Sequence, residues 1–244
     1  MAKKTMRLYG RNSVIERLRS APASVRKVFL QDSCRIPLLE QLMQQHGISG
    51  ERVSASSLAK KMPAKDLQGV LAEVDLFGYT AWPELLSRAQ QGKLSLLLLD
   101  GIKDPHNLGV IMRTAACFGG FGLVIPAQAA CGVNETVIHV AAGGENYVPV
   151  ARTADAVAAI RQAKEKEIFV IGASVTTGAQ EMSSFTFRFP LAVVLGAEGE
   201  GISAAVRNEL EAQMYIPMSG AALSLNVNSA AAIICHHIAT QRPR

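Results

Sequence analysis

Three clusters of glycine and polar residues have the types and spacing that chemistry can use. Residues 196–201, Gly-Ala-Glu-Gly-Glu-Gly, follow an apolar run and hold three glycines in six positions. Glycine lets backbone approach a ligand closely and adopt positive φ. Glu198 and Glu200 would repel phosphate, and the loop is neither G-x-G-x-x-G nor followed by Gly-Lys-Ser/Thr, so it argues against a nucleotide-phosphate loop. Carboxylates there suit a cationic or hydroxyl-bearing ligand, and a tight structural turn satisfies the same pattern. In the second cluster, Ile216-Pro217-Met218-Ser219-Gly220 breaks a strand and Ser224-Leu225-Asn226-Val227 leads into an apolar helix. The free N–H groups at such a helix start make a hydrogen-bonding site. In the third, Asp104-Pro105-His106-Asn107-Leu108-Gly109 forms a turn with Asn107 placed to cap a helix, and Arg113 follows six positions on. Taken alone, that pair is better accounted for by a plain cap and a surface arginine than by a functional role. His106, behind Pro105, invites a general-base reading.

The elements that must position these clusters alternate strand, loop and helix from residue 94 onward, which predicts a parallel sheet with helices on its faces. Apolar runs at 94–99, 122–125, 168–172 and 191–195 read as strands. Residues 108–118, 134–142, 155–166, 204–212 and 225–239 read as helices. In open α/β sheets ligands gather at the carboxyl ends of the strands, where the polar loops fall here. The first 80 residues predict a small α/β unit. It has a helix through 14–18 capped by Asn12 or Ser13, a strand at 25–30 and a helix at 36–46 ended by Gly47. A short helix at 54–60 and a strand at 69–74 follow. Residues 79–93, with Trp82-Pro83, read as a helix-bearing linker.

Composition narrows the class. The chain has 244 residues, 49% of them hydrophobic, which suits a folded α/β protein with an ample core. No apolar run approaches the roughly 20 residues that span a bilayer, and MAKKTMRLYG has no apolar stretch behind its charges. A cytoplasmic protein without signal peptide or membrane segment is expected. Cys34, Cys117, Cys131 and Cys235 are scattered without a C-x-x-C pair, and predict buried free thiols rather than disulfides or zinc. His236 and His237 lie in an apolar segment, so a structural role is expected and no metal site. Residues 1–80 carry 13 Lys and Arg against 7 Asp and Glu; residues 81–244 carry 12 against 13. That asymmetry fits a segment that meets phosphates, or a solvated basic surface.

Three stretches, 94–126 (LSLLLLDGIKDPHNLGVIMRTAACFGGFGLVIP), 191–203 (LAVVLGAEGEGIS) and 215–234 (YIPMSGAALSLNVNSAAAII), taken in order, resemble the three motifs of the SpoU family of SPOUT-class RNA ribose 2′-O-methyltransferases. RLYGRNSVIERLRS followed by VRKVFL resembles the opening of the ribosomal-protein-like (L30e-type) substrate-binding domain that precedes many of these enzymes. Leu67 stands where that domain usually carries a His, Asn146 where relatives carry an acid, and Asn228-Ser229 where a Ser-Val pair is common. The resemblance implies a parallel-sheet domain with a trefoil knot at 94–244, a linker at 80–93 and an L30e-like RNA-binding domain at 1–79.

The resemblance also implies roles. Gly196, Glu198, Gly201, Ile216, Met218, Ser224 and Leu225 would form the S-adenosyl-L-methionine site, with Asn226 shaping it. Asn107, Arg113, Glu198 and Asn226 would serve catalysis: Asn107 orients the ribose hydroxyl, Arg113 binds the target phosphate, and Glu198 is a candidate partner for Arg113. An arginine keeps its proton at any working pH, so Arg113 is expected to act by position and charge. The expected reaction is methyl transfer to a ribose of RNA, with a guanosine of 23S ribosomal RNA the target. Transfer RNA, an adenosine target of resistance type, or a non-catalytic ribosome-assembly role are the alternatives. A hydrolase or dehydrogenase would need a G-x-S-x-G elbow or a dinucleotide fingerprint, and the chain has neither. The family dimerises through the catalytic domain, so a homodimer is expected.

Overall fold

A computed structural model describes residues 5–128, 130–220 and 223–243. Lys3 and Lys4 of the basic excess, and Ala221-Ala222 within the third stretch, lie outside the described residues. The elements run β1 (Thr5–Tyr9), α1 (Arg11–Ser20), β2 (Val25–Gln31), α2 (Pro37–Gln45), β3 (Gly50–Val53), α3 (Ala55–Lys61) and β4 (Val70–Asp75). They continue with α4 (Trp82–Gln90), β5 (Ser95–Asp100), α5 (Pro105–Phe118), β6 (Phe121–Pro126), α6 (Glu135–Ala141), β7 (Val150–Thr153) and α7 (Ala156–Glu165). The last are β8 (Phe169–Ala173), β9 (Gln180–Glu181), β10 (Leu191–Gly196), α8 (Ala204–Arg207), β11 (Ala212–Tyr215) and α9 (Val227–Gln241). The chain divides into two compact units, one of Met1–Gly78 with Val133–Asn146, the other of Tyr79–Gly132 with Tyr147–Arg244.

The first unit is built on a sheet of order β1-β4-β2-β3, antiparallel except for the β2–β3 pair. Its strands alternate in the period of two that an extended chain imposes. Val70, Ala72 and Val74 of β4 join Val28 and Leu30 in one core cluster, while Leu71 and Phe29 join Leu58 in another. Ile138 of α6 belongs to the larger cluster. Helix α1 begins at Arg11 rather than behind Asn12 or Ser13, because Gly10 holds the cap position at φ +87. The Arg11 N–H is satisfied from a distance by the Gln68 side-chain oxygen, at 2.9 Å.

In the second unit, among the described residues, one sheet of order β7-β6-β5-β10-β8-β11-β9 is parallel throughout. Parallel strands covered on both sides read as continuous apolar runs, and every residue from Ser95 to Leu99 is buried. Leu96 and Leu98 pack with Leu85 and Ala89 of α4 and Ile160 of α7. The stretch 80–93 therefore contributes to the core of this unit. Alternation turns Leu97 and Leu99 to the other face, where α5 and α9 pack on one another and bury Ile111, Met112, Ile234 and Ile238.

The helix expected over 204–212 stops at Arg207, and Ala212 begins β11 beside β8. The Glu211 N–H donates to the Val170 carbonyl and its carboxylate accepts from the Val170 N–H, so this residue turns the chain into the sheet. Among the described residues no helix is long and apolar enough to cross a membrane. The four cysteines are free, Cys34 and Cys235 buried but Cys117 exposed. Burial pushes the Cys235 thiol up to about 12.

Candidate active site

Strands β5 and β10 are neighbours in register, with Gly196 opposite Asp100. Their carboxyl ends therefore bring the turn before α5 and the loop 197–203 together. At Gly196 a Cβ would sit 2.2 Å from the Gly201 carbonyl carbon, since the loop folds back through the Gly201 N–H to Ala197 carbonyl bond of 2.8 Å. The glycine at 196 thus answers to backbone crowding. Gly199 and Gly201 have positive φ. Asp100 Oδ2 accepts from the Ser203 N–H at 2.8 Å and fastens the far end of the loop to β5.

Helix α5 starts at Pro105, and its cap is Asp104, whose Oδ1 accepts from the His106 N–H at 2.9 Å. The cap expected of Asn107 falls to Asp104 because Pro105, which has no N–H to lose, takes the first helical position. Asn107 is released for other contacts. Its Nδ2 donates to Glu198 Oε1 at 3.3 Å, and its Oδ1 accepts from Asn228 Nδ2 at 2.7 Å. The same Glu198 oxygen accepts from the Val227 N–H at 3.4 Å, at the start of α9. Asn226 caps that helix, its Oδ1 accepting from the Ser229 N–H at 2.9 Å. One junction thereby joins all three stretches singled out in the sequence.

Arg113 stands apart from the junction. Six residues of helix carry it about 9 Å along the axis from Asn107, and its side chain is exposed. The ion pair expected between Arg113 and Glu198 is not made among the described residues; Glu198 bonds to Asn107 and Val227 instead. His106 is exposed at the helix start. Asn228, which the sequence reading noted only as a departure from a common Ser-Val pair, belongs to the junction. The signal that could have found it is a polar residue inside the first turn of an otherwise apolar helix.

Beside the junction lies a cavity of about 380 Å³ lined by Met182, Met214, Ile216, Met218, Leu225 and Ile234 among others. A second, of about 500 Å³, shares Ser174, Ser224 and Leu225 with it and is walled by Gly196, Glu198, Gly201 and Asn226. A third, of about 200 Å³, is lined by Asp104, Asn107, Glu198 and Glu200. An apolar wall with a few convergent polar groups is the usual form of a small-molecule site. It suits a ligand with one flat apolar end and one polar or cationic end. Among the described residues no group of three or more His, Cys, Asp or Glu could hold a metal ion.

Comparison with known proteins gives the chain's family and fold relatives. Residues 95–236 match the SpoU rRNA Methylase family, and residues 7–80 match the family described as RNA 2'-O ribose methyltransferase substrate binding. The 23S rRNA (guanosine-2'-O-)-methyltransferase RlmB of Bordetella pertussis is 32% identical over 98% of this chain and 98% of its own. The protein of the same name from Nitrosomonas europaea is 33% identical over 93% of this chain and 88% of its own. The structure of the SpoU methyltransferase AviRb from Streptomyces viridochromogenes in complex with the cofactor AdoMet is similar in fold. Its TM-score is 0.79 at 22% identity, covering 98% of this chain and 90% of that one. With its three stretches joined at one hydrogen-bonded junction and both of its regions matched, the chain belongs to the SpoU rRNA methylase family.

Proposed function

We propose that this chain methylates the 2′-hydroxyl of a ribose in RNA, using S-adenosyl-L-methionine, and that the target is a guanosine of 23S ribosomal RNA. The observation that carries the reading is the junction of Asn107, Glu198 and Asn228, at the carboxyl ends of β5 and β10, beside an apolar cavity at the carboxyl ends of β8 and β11. The guanosine and the ribosomal target rest on the relatives of that activity, which align over nearly the whole chain.

The cavity residues fit the proposed cofactor. Ile216, Met218 and Leu225 offer an apolar wall for a flat heterocycle. Ser224, Gly196 and Gly201 edge the more polar space, where Glu198 and Glu200 supply negative charge for a cationic centre. When bound, S-adenosyl-L-methionine supplies an electrophilic methyl on a sulfonium. The chain's own residues bring the acceptor into line, since a hydroxyl held in attack geometry gains far more than one in free solution. Asn107 keeps one N–H and one lone pair beyond its two bonds and is the group that orients the ribose hydroxyl. Arg113, exposed and without an ion pair among the described residues, is placed to take a backbone phosphate of the RNA.

In the same reading, residues 1–79 recognise RNA through their basic surface, 80–93 connect while packing into the core of the second unit, and 94–244, apart from the stretch 133–146 that joins the first unit, form the methyltransferase domain, working as a cytoplasmic homodimer. The family's trefoil knot belongs to this reading. It is supported by β10 lying between β5 and β8 in the sheet and by the start of α9 bonding back to the 197–203 loop at Glu198. The exposed Phe118 on α5 and Ile233 on α9 supply apolar surface for a second copy, and light scattering of the full chain should return twice the monomer mass.

The test is methyl incorporation from labelled S-adenosyl-L-methionine into unmodified ribosomal and transfer RNA, with nucleoside analysis of the product. The expected product is 2′-O-methylguanosine in large-subunit RNA alone. Label in adenosine or in transfer RNA would reassign the substrate, and absence of label with every RNA and with ribosomal particles would overturn the reading.

A further inference from the structure

We propose that Asn228 is a positioning residue for the reaction, fixing which end of the Asn107 amide faces Glu198 and which is left for the substrate. The proposal rests on the reading that Asn107 orients the ribose hydroxyl.

A side-chain amide has a donor end and an acceptor end, and a half-turn about its last torsion exchanges them. Asn107 would present the wrong group to a substrate half the time if nothing held it. Two neighbours hold it in the same sense. Asn228 donates its Nδ2 to Asn107 Oδ1 at 2.7 Å, and Glu198, which only accepts when ionised, takes Asn107 Nδ2 at 3.3 Å. The donors run in one direction, from Asn228 through Asn107 to the carboxylate.

The bond from Asn228 is the shorter of the two, within the usual hydrogen-bond range, while the one to Glu198 is long. Its own geometry shows the cost. Asn228 Oδ1 is buried and has no partner among the described residues, a state that few side chains in folded proteins keep. Turning Asn228 over would set its oxygen against Asn107 Oδ1, and Asn107 would have to turn in answer, bringing its own oxygen onto the Glu198 carboxylate. The unsatisfied oxygen is therefore the consequence of keeping the line consistent. A serine at 228 both donates and accepts, and imposes no direction.

The test uses the full-length chain with Asn228→Asp, which keeps the shape of the side chain but removes the donor. Asn107 is then drawn over to donate to the new carboxylate. The expected result is a kcat lower by about tenfold, the scale of one lost hydrogen bond. KM for RNA and the cofactor Kd should stay within about twofold, as for an interaction made in the transition state alone. Combining Asn228→Asp with Asn107→Ala should be no slower than Asn107→Ala alone. The side-chain NH2 resonances of Asn107 in a ¹⁵N–¹H spectrum should shift and lose protection from exchange in the single variant.

Losses that multiply in the double variant, an unchanged kcat, or unmoved Asn107 resonances would each overturn the proposal. If Asn228→Asp does not fold, Asn228→Ala, which also removes the donor, carries the same measurements. Failure of the wild-type chain to methylate any RNA would strike at the function reading, while the Asn107 resonances would still decide whether Asn228 holds that amide.

Discussion

Two regions of this molecule each hold an arginine and a glutamate among polar neighbours, and they use them in opposite ways. In the first unit Arg17 of α1 meets Glu145 at 3.0 Å, with side chains 8% and 0% exposed. In the second, Glu198 and Arg113 are both exposed, and Glu198 spends its oxygen on two neutral donors at 3.3 and 3.4 Å. A buried charge must be paired or it destabilises the fold, whereas an exposed charge left without a counter-charge is free to meet a ligand. Structure has consumed the Arg17–Glu145 pair, while Arg113 and Glu198, each without a counter-charge among the described residues, remain available for binding.

Breaking the buried pair should give the largest effect on stability. Arg17→Met leaves the Glu145 carboxylate without its counter-charge and should cost about 3–5 kcal/mol. Burial already pushes the Glu145 carboxyl above its ordinary range, with Arg17 working against that. A carboxyl raised in the folded state contributes stability that is full below its unfolded pKa and lost as pH rises through the folded one. The variant raises it further, so its deficit should be greatest at neutral pH and shrink on acidification toward the ordinary carboxylate range. Urea midpoints taken across that range check this, and a deficit that grows on acidification would refute it.

Arg113→Ala should sharpen the contrast by moving activity alone. Turnover should be abolished to within measurement, on the order of a thousandfold. Cofactor affinity should hold within a few-fold, and stability within about 0.5 kcal/mol, as at other surface sites. Wild-type turnover in this variant would remove the role given to the arginine.

The smallest effect should come from Asn226→Ala, where both uses meet in one side chain. Loss of the cap on α9 should cost about 1 kcal/mol, read as a lower melting temperature, with several-fold weaker cofactor binding by calorimetry. A change in only one of the two would assign Asn226 to that use.

The sequence disclosed what was local or repeated in a simple period. The apolar runs of β5 and β10 and the glycine loop between 196 and 201 stood where expected, and the final helix began two residues later than expected, behind a cap at Asn226. What it hid was pairing at a distance. Asn107 and Asn228 are separated by 121 positions, and nothing near either one points to the other. Strand β1 was missed because its five residues pair antiparallel with β4, far along the chain. Glu145, beside the Asn146 that stands where relatives carry an acid, is buried against Arg17, and only the fold supplies that arginine. The pairing of Arg113 with Glu198, natural for opposite charges in matched motifs, is not made among the described residues, where Glu198 bonds to Asn107 and Val227.

The stretch Val133–Asn146 is numbered with the second half of the chain, yet it is part of the first unit. His139 stacks on Tyr9 at 3.9 Å, Glu135 accepts from the Arg7 N–H, and Gly143 leaves no room for a Cβ beside Glu16. A protease that clipped the chain after Gly78 would therefore release nothing. The severed module would stay held through its own stretch Val133–Asn146, which the chain enters from and leaves to the other unit, and lifting it out whole would take three cuts. A gene fragment ending at residue 80 inherits the same defect, since it encodes a module with one wall missing and the apolar side that Ile138 covers laid bare.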